Sequence, residues 1–216
     1  MFVTPNSQPL ERSYLFLRSG IGIIGLALPV VLIVGTIILD QRFEISSSVS
    51  AYYYSVMRNV FVGSLWALGI FLICYRYDLL DDIVSTVAGV CAIGVAMFPT
   101  TPDGGATGQQ VTIGWTHFAF ATCFLLLLAL MAIFLFRRTD QVNPTQRKQQ
   151  RNTLYLICGI AIVACLVLAA LILLVPNLSG TPWLQPLHPI LVLESLAICA
   201  FGIAWFVKGE TILKDE

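Results

Sequence analysis

The stretch IGWTHFAFATCFLLLLALMAIFLF, Ile113 to Phe136, contains no Asp, Glu, Lys or Arg. As an α-helix it extends about 36 Å, enough to cross a hydrocarbon core about 30 Å thick. In lipid every backbone N–H and C=O must find its partner within the chain, so an apolar run of this length is read as a membrane-spanning helix. Five further apolar runs accompany it, at Ser19 to Leu39, Asn59 to Tyr75, Ile83 to Pro99, Thr153 to Val175 and His188 to Val207. The second and third are the shortest. The sequence therefore predicts an all-α fold, a polytopic bundle of six transmembrane helices in one integral membrane domain, residues 1–216. The first run follows a polar-leaning segment without a small-residue cleavage site and reads as a retained span.

Composition agrees. Of the residues, 57% are hydrophobic and 11% charged, against about 25% charged in an ordinary soluble domain. Twelve basic and twelve acidic side chains give a formal net charge of zero, so the chain lacks the field that draws a polyanion, and nucleic acid is not an expected partner. All six cysteines fall within apolar runs and read as packing residues, not as a disulfide framework.

Basic residues orient the spans. With the amino terminus in the cytoplasm, ten of the twelve Lys and Arg fall on that side, from Arg12 to Lys214, leaving only Arg42 and Arg58 opposite. Both termini are then cytoplasmic. The basic stretch from Arg137 to Asn152 suits either a topology determinant or contact with anionic lipid. Asp78, Asp81 and Asp82, on the same side, suit the start of the third helix, where carboxylates cap free N–H groups. Small residues that allow close helix approach line the first span (Gly20, Gly22, Gly25, Gly35), the second (Gly63, Ala67) and the third (Ala88, Gly89, Ala92, Gly94, Ala96). Pro29 falls in the middle of the first.

Chemistry is sought among polar groups near the non-cytoplasmic surface. Glu194 lies inside the last apolar run, where a carboxylate is costly unless used or paired. His117 opens the fourth span, and the two form a candidate acid–base pair; interhelical hydrogen bonding is the alternative for Glu194. Arg58 begins a helix where dipole and positive-inside bias both disfavour a cation. Its partner would be Glu44, Asp103, Glu194 or a lipid phosphate. ISSSVSAYYYS, just before it, offers the hydroxyls of Ser50, Tyr52, Tyr53 and Tyr54 to a headgroup, although tyrosines also form ordinary interfacial belts. His188 precedes Pro189 and is either a ligand group or a polar cap. His117 and His188 with Asp103 or Glu194 would supply three zinc ligands, but no metal-binding spacing supports this, and no cofactor is expected.

The order ISSSVSAYYYS, FLICYRYD, VAMFPT, WTHFAFATCF and LESLAICAFGIAWFVKG, between Ile45 and Gly209, resembles the six-span DRAM-like superfamily. That group includes autophagy modulators, lipid-anchor remodelling proteins and a bacterial branch. The resemblance implies a lipid-linked pocket on the extracytoplasmic side, with Ser46 to Ser50, His117 and Glu194 at the family's recurring serine, histidine and glutamate positions. Ser195 stands where the family usually carries tryptophan. The functional expectation is recognition, or remodelling, of a lipid or other amphiphile. An enzyme of this kind would be a lipid hydrolase or acyl transferase. A transporter, a channel built from several copies, or a non-catalytic scaffold is the alternative. Short loops suit a bacterial inner membrane.

Overall fold

The computed structural model describes residues 7–40, 45–139, 144–175, 181 and 183–209, with side chains from residue 13 onward. It is all-α. The helices are α1 (Ser7–Asp40), α2 (Arg58–Cys74), α3 (Leu79–Met97), α4 (Gly108–Leu130), α5 (Gln146–Leu174) and α6 (Pro189–Lys208). Five are long and apolar enough to cross a membrane; α2 is equally apolar but spans 17 residues. The chain is thus a multi-pass integral membrane protein.

Caps explain where the helices begin. Asp78 accepts from the backbone N–H groups of Leu80 and Asp81, both at 3.0 Å, so α3 starts a turn before the apolar run. Thr107 and Gln110 form a reciprocal capping box at the start of α4. Thr145 caps Lys148 N at 3.1 Å and draws the polar segment after it into α5. A π-helical turn, Met131–Leu135, extends α4, and α1 runs unbroken through Pro29.

The helices pack in ring order, each against its chain neighbours, and α1 closes the ring against α6. Glycine makes the tightest crossings. A Cβ on Gly22 would lie 2.6 Å from the Phe206 backbone nitrogen, and one on Gly69 would lie 2.8 Å from the Gly89 carbonyl. Gly63, read from the sequence as a packing residue of the second span, instead faces open space, with nothing within 4 Å of its would-be Cβ. The close approach in α2 belongs to Gly69, about 120° around the helix from Gly63.

One end of the bundle carries the α1–α2, α3–α4 and α5–α6 connections; the other carries the α2–α3 and α4–α5 connections and the end of α6. The latter, the basic end, is sealed by an aromatic cluster. Trp205 meets Tyr75 edge-on at 4.9 Å and Phe136 at 5.2 Å, and Phe136 meets Tyr155 at 5.4 Å.

Candidate functional site

At the other end, the connection after α1 folds back into the bundle. Val49, Tyr52 and Met57 are buried with Leu28, Leu32, Phe61 and Leu191 in a second apolar core, leaving the serines between them to build turns. Ser48 Oγ accepts from Ala51 N at 2.9 Å at the start of a 3-10 turn, Ser50–Tyr54. Ser55 Oγ donates to the Tyr52 carbonyl at 2.8 Å and accepts from Met57 N at 3.1 Å. The other serines reach across to distant elements. Ser47 Oγ donates to Asp103 at 2.8 Å, and Ser50 offers its N–H (3.2 Å) and Oγ (3.5 Å) to the Glu194 carboxylate. The Leu191 N–H adds a bond to the Ser47 carbonyl at 3.2 Å.

Beneath this segment lies a cavity of about 720 Å³. It gathers five of the residues singled out in the sequence: Ser50, Asp103, His117, His188 and Glu194. Below His117 and Glu194 its walls become aliphatic, with Leu125 on α4 and Leu166 on α5; Ala170, Leu173 and Ile190 line it nearer the α5–α6 connection. Thr100, Thr101, Trp115 and Gln185 also line it; as ordinary interfacial residue types they gave no signal in the sequence.

His117 is 4% exposed, and its Nδ1 lies 2.6 Å from the Phe98 carbonyl. A carbonyl only accepts, so Nδ1 carries a proton; in a neutral imidazole the lone pair would then lie on Nε2. This contact ties α4 to the end of α3. His188 adopts φ 43°, ψ 56°, the only left-handed non-glycine among the described residues. Proline at the next position further restricts its backbone, so the surrounding bonds must hold it there. Its N–H donates to the Gln185 carbonyl and its own carbonyl accepts from Val192 N, both at 3.1 Å. The side chain makes no capping bond, contrary to the polar-cap reading.

Arg58 and the three tyrosines do not line the cavity. Arg58 stacks on the Tyr53 ring at 4.4 Å and donates to its hydroxyl at 2.6 Å. It makes no ion pair with Asp103 or Glu194, and Glu44 lies outside the described residues. Tyr54 Oη donates to the Thr100 carbonyl at 2.7 Å. Tyr52 is 1% exposed, and burial pushes its phenol above the ordinary value, which keeps it protonated. It is a core residue, not a headgroup ligand. Among the described residues no three His, Cys, Asp or Glu side chains come together as a metal site, so the zinc set weighed from the sequence shares a cavity wall without converging.

Comparison with protein-family models, with curated proteins and with solved structures finds no match for this chain.

Proposed function

We propose that this protein binds an amphiphile in the cavity between α4, α5 and α6, without transforming it. The observation that carries the reading is the change in the cavity wall with depth. Ser50, Asp103, His117, His188 and Glu194 surround one region, and Leu125 and Leu166 line the wall below it. Along α4, Leu125 lies about 12 Å below His117, a distance that separates a polar head from an apolar chain. Two carboxylates and two histidines line the polar region, with no Lys or Arg among the described lining residues. Such a wall favours a head that donates hydrogen bonds, through hydroxyl or amine groups, over a bare phosphate. The Trp115–Phe118 edge-to-face pair, also in the lining, suits an ammonium group.

Recognition is preferred to catalysis because no lining hydroxyl is paired with His117 as a nucleophile would be. Ser47 donates to Asp103 and Ser50 to Glu194, and the hydrogen bond of His117 goes to a backbone carbonyl, not to a nucleophile. The resemblance to DRAM-like proteins points to the same lipid-linked role. On this reading all six helices cross the membrane, both termini are cytoplasmic, the cavity opens on the extracytoplasmic side, and the membrane is a bacterial inner one. Labelling with an impermeant maleimide of a cysteine placed at Gly104, but not one placed at Gln149, tests the orientation in sealed cells. Mass spectrometry of molecules that co-purify in mild detergent tests the function. The wild type should retain a defined amphiphile that Glu194→Gln and His117→Ala lose; equal profiles in all three would contradict the assignment.

A further inference from the structure

The basic end holds a group of buried and partly buried cations that the amphiphile cavity does not use. Arg18, near the start of α1, is 7% exposed. Its guanidinium hydrogen-bonds the Lys208 carbonyl, at 3.4 Å, and the Tyr14 hydroxyl, and its Nε is buried without an acceptor among the described residues. It sits over the Tyr14 ring at 4.2 Å and within 5.7 Å of the Tyr77 ring. Lys208, the last residue of α6, places its ammonium 5.1 Å from the Tyr77 ring and 5.2 Å from the Phe136 ring. No described carboxylate lies within ion-pair distance of either cation.

The neighbouring charges deepen the imbalance. Among the described residues, Arg18, Lys148 and Arg151 lie close enough to repel the Lys208 ammonium, and Asp81 attracts it. Asp81, 1% exposed, is already engaged by Arg138 at 3.3 Å, which also pairs with Asp78 at 2.9 Å. Ring faces soften the cost of a buried cation, well short of what a paired anion supplies. Two further buried donors at this end, Tyr75 Oη and Trp205 Nε1, also lack an acceptor. Among the described residues, the deficit is one of anionic oxygen.

We propose that Arg18 and Lys208, beneath Tyr77, bind a phosphate-type anion at the headgroup depth of the bilayer. Guanidinium and ammonium together supply a planar fork and a point charge, the usual pair for phosphate oxygens. Depth follows from position, since Lys208 ends a membrane-spanning helix and Tyr77, 63% exposed, stands at the rim. A lipid phosphate and a free phosphate share this chemistry. The site is separate from the cavity and does not depend on the function proposed for it.

The test follows thermal unfolding of the full chain in mild detergent with phosphatidylglycerol, with phosphatidylcholine, or with inorganic phosphate at matched ionic strength. An anion that binds only the folded state raises the midpoint. Phosphatidylglycerol should raise the wild-type midpoint and phosphatidylcholine should not; a rise with inorganic phosphate alone would assign the site to a soluble anion. Lys208→Met, which keeps the apolar stem, should unfold no earlier than the wild type in phosphatidylcholine, because it removes a partly buried charge that pairs with no described carboxylate. It should also weaken the anion's apparent affinity by roughly tenfold or more, while the exposed Arg147→Gln leaves the affinity intact. Equal midpoint shifts in Lys208→Met and wild type, or equal shifts with the two lipids, would overturn the proposal.

Discussion

Ser50 donates both its backbone N–H, at 3.2 Å, and its hydroxyl, at 3.5 Å, to the carboxylate of Glu194, 144 residues further along the chain. Through this pair the first connection is tied to the last helix, and the cavity gains both its polar wall and its cover. Glu194 therefore has a structural use alongside any contact with a ligand, and the two are separable by substitution. Glu194→Ala leaves the Ser50 N–H without its acceptor and should cost about 1–3 kcal/mol. Glu194→Gln keeps an acceptor oxygen and should unfold close to the wild type while losing the bound amphiphile. Chemical denaturation in detergent, run beside ligand analysis, separates these effects; an Ala variant as stable as the wild type would leave the tether without weight.

Close helix crossing makes a second prediction. A methyl on Gly69 or Gly89 would meet the carbonyl of the facing helix, at 2.8 Å and 2.5 Å respectively, and backbone cannot yield as a flexible side chain does. Gly69→Ala and Gly89→Ala should each destabilise the bundle by about 1–3 kcal/mol. Gly63→Ala, on the same helix as Gly69 but facing open space, should be neutral or stabilise by up to about 1 kcal/mol. A comparison of melting midpoints decides; equal losses at Gly63 and Gly69 would mean that α2 is rotated from its described face.

Arg58 offers a sharper contrast with the sequence, which makes it a candidate either for an ion pair within the protein or for a headgroup ligand. Stacked on Tyr53 outside the cavity, Arg58→Ala should leave the retained amphiphile unchanged in identity and amount. Loss of that molecule in the variant would restore Arg58 to the site.

The α3 cap carries a pH dependence. Hydrogen bonds to Asp78, first from the Asp81 N–H, together with the Arg138 charge, hold its carboxyl below the usual carboxylate range. A depressed carboxylate contributes stability above its unfolded pKa, about 3.9, and loses it as pH falls through the lower folded value. The stability advantage of the wild type over Asp78→Ala should thus be full at neutral pH and shrink below about pH 4. An advantage that stays constant to pH 3 would exclude the charged cap.

Most of the architecture could be read from the chain because lipid permits few solutions, and apolar runs without charge leave little choice but helix. The span edges were less legible. The apolar run of the third span begins at Ile83, while Asp78, Asp81 and Asp82 read as the polar start of its helix; Asp78 caps it, so α3 begins at Leu79, and the Arg138 pair admits Asp81. The fifth begins at Gln146, seven residues before the expected Thr153, because Gln, Lys and Arg are good helix formers once Thr145 caps them. Within the site, Glu194 and His117 were visible as ionisable residues in apolar sequence. The burial of Tyr52 was not, because a tyrosine run reads equally as a belt or as core. The pairing of Arg18 with the Lys208 carbonyl joins residues 190 apart and leaves no local trace.

The central claim is that an amphiphile occupies the space between α4 and α5. Photocrosslinking with a lipid bearing a diazirine in its acyl chain, followed by peptide mapping and competition with unlabelled lipid, tests it most directly. The account predicts competable crosslinks at Phe118, Leu125, Leu166 and Leu173, which line the cavity, weakened when Ala170→Trp fills it. Crosslinks confined to exposed faces, such as Ile157, Ile160 and Leu168, and unaffected by competitor or by Ala170→Trp, would contradict it.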